Sequence, residues 1–346
     1  MSRGARYTAL LLLAVLPLGL GAEGCGRDRN AKRQQSPLLL IPGAADPAWS
    51  PDGKWIAFRS DDPGRIWKSE IWLRAASGRE PDLRVTYNAT YDGEPVFSPD
   101  GKRLAFTSSF DGEPQVVIAD LDLLAQPRGS ELPRVPTTQA TFLGGENPAF
   151  SPDGGRLAFS SARNEHHHVF ELDLATHRLT RLTPEGVNSY SPAYSPDGEW
   201  IVYASDAASS IDLWIMPAAG GKPRQLTSLA ENELFPAFSP DGQTLVCSWS
   251  SPDTAARGGL VAYGFGGGAV TAGPTPIPVA IAASARSIVR ARFHPQTDQL
   301  IGAFFANLRW NVAALELNPG ILATPIMRQL LHPDELSEMK EPAEAK

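Results

Sequence analysis

Phe150-Ser151-Pro152-Asp153-Gly154 is one copy of a phrase that punctuates the whole chain. Ser-Pro-Asp-Gly starts at Ser50, Ser98, Ser151, Ser195 and Ser239, each time directly after an aromatic residue: Trp49, Phe97, Phe150, Tyr194 and Phe238. A degraded sixth copy reads Phe293-His294-Pro295-Gln296. Successive copies lie 44 to 55 residues apart, the period of a repeated supersecondary unit. The phrase is itself a turn. Proline presets φ at the second position, aspartate tolerates the bridge region and bonds neighbouring amides, and glycine supplies the φ > 0 that a type I turn with a G1 bulge requires.

The flanks repeat as well. An alternating segment such as Pro148-Ala149-Phe150 leads into the turn, and an apolar run follows, as in Leu104-Ala105-Phe106, Leu157-Ala158-Phe159 and Ile201-Val202-Tyr203. A third run comes after a polar loop, in Ile71-Trp72-Leu73, Val116-Val117-Ile118 and Leu213-Trp214-Ile215. A short fourth is Arg181-Leu182-Thr183 or Gln225-Leu226-Thr227. Short runs rich in aromatic and branched residues between turn residues read as strands, and four per unit of this length make a propeller blade. The expected fold is all-β, a six-bladed propeller of four-stranded antiparallel blades. The aromatic before each turn is expected to fill the space between blades, and Cys247 to be an inert core residue. Gly264 to Gly268, with Pro274 to Pro278, reads either as a flap or as a weak edge strand broken by glycines. For ring closure, Leu38 to Ile41 competes with Ile326 to Leu331, and the N-terminal strand is favoured because it protects an otherwise bare edge.

This pattern resembles the PD40, or WD40-like, repeats of the TolB-like six-bladed propellers, over about residues 38–332. The resemblance is specific for fold and weakly so for function, because such blades occur in periplasmic assembly proteins, in prolyl oligopeptidase-class peptidases and in polysaccharide lyases. The family's TolB members carry an α/β domain before the propeller. Here the polar stretch ahead of the first blade points instead to a stand-alone propeller.

Upstream of the repeats, Arg3 and Arg6 precede a 14-residue apolar stretch from Tyr7 to Leu20. That is short of the ~20 residues that span a bilayer, and it suits a signal peptide over residues 1–24. Leu20-Gly21-Ala22-Glu23-Gly24-Cys25 resembles a bacterial lipobox, which implies lipidation of Cys25. The alternative is ordinary cleavage after Ala22. Residues 25–37 read as a tether, and the acidic stretch 333–346 as a frayed tail. The protein is therefore expected to be exported to the periplasm or outer membrane, touching membrane through the lipid alone.

Composition narrows the function. The 346 residues carry a net charge of -7, with no basic run long enough to neutralise a phosphate backbone, so nucleic acid is excluded as a partner. Two cysteines make neither a disulfide framework nor a four-thiolate zinc site. No G-x-S-x-G elbow occurs, and six blades leave no room for a peptidase's α/β catalytic domain. One propeller mouth is ringed by the loops leading into each first strand. It gathers Asp46, Tyr91, Asp92, Glu94, Glu146, Asn147, Asn188, Tyr190, Glu231, Asn232 and Glu233. This acidic rim reads as a docking surface for a basic peptide, as a carboxylate cluster for a divalent cation, or as ordinary loop polarity. His166 and His168 alternate onto one side and have a spacing that can chelate a metal, although an adventitious histidine run is favoured. The reading is a non-enzymatic, monomeric interaction module for an envelope protein or peptide, with no cofactor. The alternative is a carbohydrate-active or metal-dependent, lyase-like propeller enzyme using the channel mouth.

Overall fold

The computed structural model describes residues 40–316, apart from 43, 61–68, 89, 111, 123–134, 164, 252–257, 278–287, 298 and 307–308. The leader, Cys25, the tether, the competing segment Ile326 to Leu331 and the acidic tail lie outside the described residues.

The chain is an all-β propeller of four-stranded antiparallel blades. A short strand, β1 (Leu40–Pro42), comes first. Five blades then fold from continuous stretches. The first holds β2 (Ala44–Trp49), β3 (Trp55–Ser60), β4 (Ile71–Ala75) and β5 (Leu83–Arg84). The second holds β6 (Asp92–Phe97), β7 (Arg103–Ser108), β8 (Gln115–Asp120) and β9 (Thr137–Gln139). The third holds β10 (Glu146–Phe150), β11 (Arg156–Arg163), β12 (His166–Asp173) and β13 (Leu179–Arg181). The fourth holds β14 (Ser189–Tyr194), β15 (Trp200–Ser205), β16 (Asp212–Pro217) and β17 (Arg224–Gln225). The fifth holds β18 (Asn232–Phe238), β19 (Thr244–Ser250), β20 (Gly258–Gly266) and β21 (Ala269–Ile277). A further, composite four-stranded sheet combines β22 (Ile288–Phe293), β23 (Gln299–Ala306) and β24 (Arg309–Glu316) with β1, which pairs antiparallel to β24 through Leu40↔Ala313 and Ile41↔Val312. The first strands touch one another in the cyclic order β2, β6, β10, β14, β18, β22 and back to β2.

Each Ser-Pro-Asp-Gly turn is built from the same bonds. The serine hydroxyl donates to the aspartate Oδ1 at 2.5–2.7 Å. That oxygen also accepts the amide two residues on, at 2.9–3.1 Å. The serine oxygen in turn accepts the amide that opens the second strand, at 2.8–3.0 Å. The five glycines sit at φ +69 to +75, as the turn chemistry requires. A methyl on Gly101, Gly154, Gly198 or Gly242 would lean on the turn proline of the preceding blade, so the turns tile around one mouth. At the seam, a methyl on Gly53 would instead meet the His294 ring at 2.6 Å. In this degraded copy the bonds differ: His294 Nδ1 accepts the Gln296 amide at 3.1 Å, and the Gln299 amide that opens the second strand goes to the Thr297 hydroxyl at 3.3 Å.

The aromatics before the turns pack where the sequence places them. Phe97 joins Ala57 and Leu73 of the blade before it. Phe150 meets Ala105 and Val116, and Tyr194 meets Ala158 and Val169. Cys247 is buried in the corresponding core of the fifth blade. Gly267 and Gly268, both at positive φ, form the turn between β20 and β21, so the glycine-rich stretch is an edge hairpin and not a flap. The fourth strands β13 and β17 end before the threonines of their runs, because Thr183 and Thr227 bond the third strand with their side chains.

Candidate functional site

Every first strand breaks its ladder at the same place. Register shifts fall between Ala45/Ala48, Gly93/Val96, Glu146/Ala149, Tyr190/Ala193, Leu234/Ala237 and Val289/Arg292. Inside each bulge one non-glycine residue has φ between +49 and +59: Asp46, Glu94, Asn147, Ser191, Phe235 and Arg290. This region is sparsely populated by L-residues, and its recurrence fixes six side chains at one level of the axis. Five of them precede a proline, whose missing N–H suits a position with no ladder bond.

These side chains form a girdle across the channel. Arg290 Nε bonds Asp46 at 3.0 Å and its Nη2 bonds Glu94 at 2.6 Å. The same guanidinium lies 4.1 Å from the Phe235 ring centre. Glu94 also accepts the Asn147 amide at 2.6 Å and the Thr107 hydroxyl at 2.7 Å. Ser191 donates to Asn147 Oδ1 at 3.4 Å. From β3, Arg59 bonds Asp46 at 2.9 Å. Burial opposes ionisation of Asp46, yet Arg290 and Arg59 together hold its carboxyl below the usual carboxylate range. Tyr91 is raised well above its ordinary value by burial beside Glu94 and Asp46. Burial and the neighbouring Glu94 push Glu146 up to about 7.

The acidic rim expected from sequence is therefore largely turned inward. Asp46 is buried in its ion pairs. Asp92 is fully buried, accepts the Asn88 amide at 2.7 Å, and is raised by burial to about 6. Glu233 is fully buried too, and accepts Thr227 and Tyr263 hydroxyls at 2.5 Å and the Cys247 thiol at 3.4 Å. These three are corrected from partner contacts to interior groups, since their burial takes them off the rim that a partner could touch. Asn188 and Asn232 tie loops, accepting the His167 and Ile211 amides at 3.0 and 3.1 Å. Tyr91, Glu94, Glu146, Asn147, Tyr190 and Glu231 are half-buried. His166 and His168 do share a side of β12, with ring centres 6.3 Å apart, but His168 is buried against Phe170. Among the described residues, no group of three or more His, Cys, Asp or Glu side chains is placed to hold a metal.

Ser191, Phe235, Arg290 and Arg292 were not foreseen as channel residues. The recurring residue-proline pairs Ser191-Pro192 and Phe235-Pro236 carried the signal for two of them.

Residues 135–256 match the PD40 family model, the TolB beta propeller domain. A 133-residue stretch is 31% identical to Protein TolB homolog of Chlorobium luteolum, which is 38% of this chain and 26% of that protein. The chain thus spans about a quarter of that relative's length. TolB from Acinetobacter baumannii superposes with a TM-score of 0.58 at 18% identity, covering 77% of this chain and 64% of that one. A protein described as TolB from Agrobacterium tumefaciens gives 0.55 at 24% identity, over 68% and 80%. A puromycin-hydrolyzing peptidase from Mycobacterium tuberculosis gives 0.52 at 13% identity, over 81% and 52%. At these identities the structural likeness carries the fold. The match over the middle of the chain, the curated relative and the propeller geometry support the PD40/TolB β-propeller family for this protein.

Proposed function

We propose that this protein is a six-bladed, exported, non-catalytic propeller that docks an envelope protein or peptide on the mouth opposite its Ser-Pro-Asp-Gly turns. The pairing of β1 with β24 and the cyclic contacts of the first strands support six blades in a closed ring. The lipobox-like stretch before Cys25 supports export and a lipid anchor.

One observation carries the docking site. The mouth loops of the second and third blades expose large apolar side chains: Phe142 at 73%, Leu143 at 70%, Phe110 at 45% and Tyr87 at 39%. The loops holding Phe110 and Phe142 lie side by side, joined by Gly145 N to Pro114 O at 2.8 Å. Neighbouring exposed apolar groups on a rigid frame are the usual mark of a protein-binding surface. The half-buried Glu231 and Tyr190 lie on loops and strand starts of the same mouth. The likeness to a peptidase is one of fold, and the reading here is of a scaffold whose channel carboxylates Asp46 and Glu94 are held by its own arginines.

The test is affinity capture from envelope extracts after crosslinking, with the wild type and the double variant Phe142→Asp, Leu143→Asp. The variant is expected to lose its partner at least tenfold while keeping the wild-type unfolding temperature. Equal recovery by both would overturn the patch as the interface.

A further inference from the structure

A cavity of about 250 Å³ opens between the first two blades, where the chain leaving β5 faces β7 and β8. Its wall is largely apolar, from Val85 and Tyr87 of the first blade and Phe106, Phe110 and Val117 of the second. An apolar cavity of about 150 Å³ already holds a benzene ring, so one substituted ring has room here. Tyr87 and Phe110 are exposed and belong to the apolar patch that carries the proposed docking, which makes the cavity continuous with that surface.

Most polar groups of the wall are spent. Thr86 Oγ1 accepts the Ile71 amide and donates to Glu70, and Asn88 donates to Asp92 while accepting the Thr90 amide. Thr137 is open to water. Ser108 is the exception: it is buried, it lines the cavity, and its Oγ has no hydrogen-bond partner. Opposite it in the ladder of β6 and β7 stands Asp92, whose Oδ1 is also buried and unpartnered. The Ser108 hydroxyl is near enough to favour the ionised form of Asp92 without reaching bonding geometry. Between them the hydroxyl and the carboxylate have one proton to give. Once Ser108 gives it to Asp92, the Ser108 oxygen still calls for a donor from the cavity side.

Resting on the docking reading, we propose that this cavity receives the ring of a tyrosine from the docked partner, whose phenol O–H donates to Ser108 Oγ while the Ser108 O–H donates to Asp92 Oδ1. The occupant follows from the shape and chemistry of the wall. Exposed Tyr87 and Phe110 mark the entrance and buried Ser108 the inner end, so the donor has to sit at the far tip of the ring. Phenylalanine has no donor, and the indole N–H of tryptophan lies on the flank of its ring. A lysine head would be buried among the neutral groups Thr86, Asn88 and Ser108, with Asp92 shielded behind them. The phenol closes a relay that satisfies both orphaned oxygens, and its ring packs against Phe106 and Phe110.

The experiment uses the full chain at pH 8 and two probes, p-cresol and toluene, which differ by the one hydroxyl. Affinities are read from the broadening of each probe's own NMR signals during a protein titration. The wild type is expected to bind p-cresol saturably and at least tenfold more tightly than toluene, because the donor meets a waiting acceptor. Ser108→Ala should bring the two probes within about threefold of each other by weakening p-cresol alone. The comparison of probes on the wild type decides the point even if Ser108→Ala fails to fold. In the envelope capture assay, saturating p-cresol should lower partner recovery by the wild type at least threefold, and toluene at the same concentration should not. No saturable binding of p-cresol, equal affinity for the two probes, or an undiminished preference in Ser108→Ala would each overturn the site. Binding of p-cresol with undiminished capture would overturn the tyrosine anchor and leave the Phe142 and Leu143 patch standing, whereas failure of that patch shows separately, as equal capture by Phe142→Asp, Leu143→Asp.

Discussion

A single hydroxyl organises each turn. Ser195 donates to Asp197 and accepts the Trp200 amide at 3.0 Å, so Ser195→Ala strands that amide and unties the aspartate. The expected loss is about 1–2 kcal/mol by urea denaturation. Gly198→Ala should cost about 1 kcal/mol through its φ of +75 alone, because the nearest atom to the added methyl is 3.8 Å away. A serine variant milder than the glycine variant would mean that the hydroxyl is not what holds the turn. Glu146 makes a second prediction, through pH. Its carboxyl is raised from 4.5 to about 7 in the folded state, so the native protein binds more protons than the unfolded chain over that window. Stability therefore falls as pH rises from about 4.5 to 7 and stays lower above it. The deficit is of the order of 1–3 kcal/mol, allowing for partial exposure of the side chain. Glu146→Gln should remove that limb of the pH profile and be more stable than the wild type at pH 8. Asp92 slopes the same way, from 3.8 to about 6, whereas Asp46, held ionised by its arginines, slopes the opposite way at lower pH.

Within a blade, one threonine ties the exit of the fourth strand to the third. Thr86, Thr141, Thr183 and Thr227 accept the amides of Ile71, Val116, Val169 and Leu213 at 2.9–3.0 Å. In the fifth-blade junction the tie is doubled, since Thr227 also donates to the buried Glu233. Thr227→Val should therefore cost about 3 kcal/mol, against about 1–2 for Thr183→Val, in matched denaturant titrations. Equal losses would mean that Glu233 does not depend on Thr227. This scale also marks how far the sequence could be read. Strands and turns were legible because their determinants are local: alternation, a proline, a glycine and a serine within five residues. The channel was legible only in part. Asp46, Glu94 and Asn147 announced themselves by polarity, but the bulge decides which side chain faces the axis, and it turns Asp92 and Glu233 into the blades. Ser191 and Phe235 carry no chemistry that composition would flag, and Arg290 reaches Glu94 across 196 residues of sequence. Long-range pairing of that kind follows from closure of the ring and not from any local pattern. The exposed Phe142 and Leu143 are equally silent in sequence, where an apolar pair beside Gly144 and Gly145 reads like any strand end.

Closure is the property that belongs to the molecule as a whole. The composite sheet takes its outer strand from the N-terminal side, and β1 reaches β2 from the direction of the Ser-Pro-Asp-Gly turns because it runs antiparallel to β24. A lipid on Cys25, as proposed, would then hold the turn face toward the membrane and leave the opposite mouth open to a partner. The seam depends in part on a three-residue strand and on the contact of His294 with Trp49, whose rings lie 4.6 Å apart. A chain beginning at Leu39 keeps β1, whereas one beginning at Gly43 removes it and bares the edge of β24. A few backbone hydrogen bonds at a net 0.5–1.5 kcal/mol each put the cost at about 2–4 kcal/mol. The exposed edge should also pair between molecules, giving dimers by light scattering. Hydrogen exchange should locate the damage, with the amides of Asn311 to Ala313, opposite Leu40 to Pro42, losing protection first. A synthetic peptide spanning residues 36–42 should add back as a strand, restoring both protection and the monomer. Unchanged protection and a monomeric state in the chain beginning at Gly43 would mean that β1 covers the edge without closing the ring.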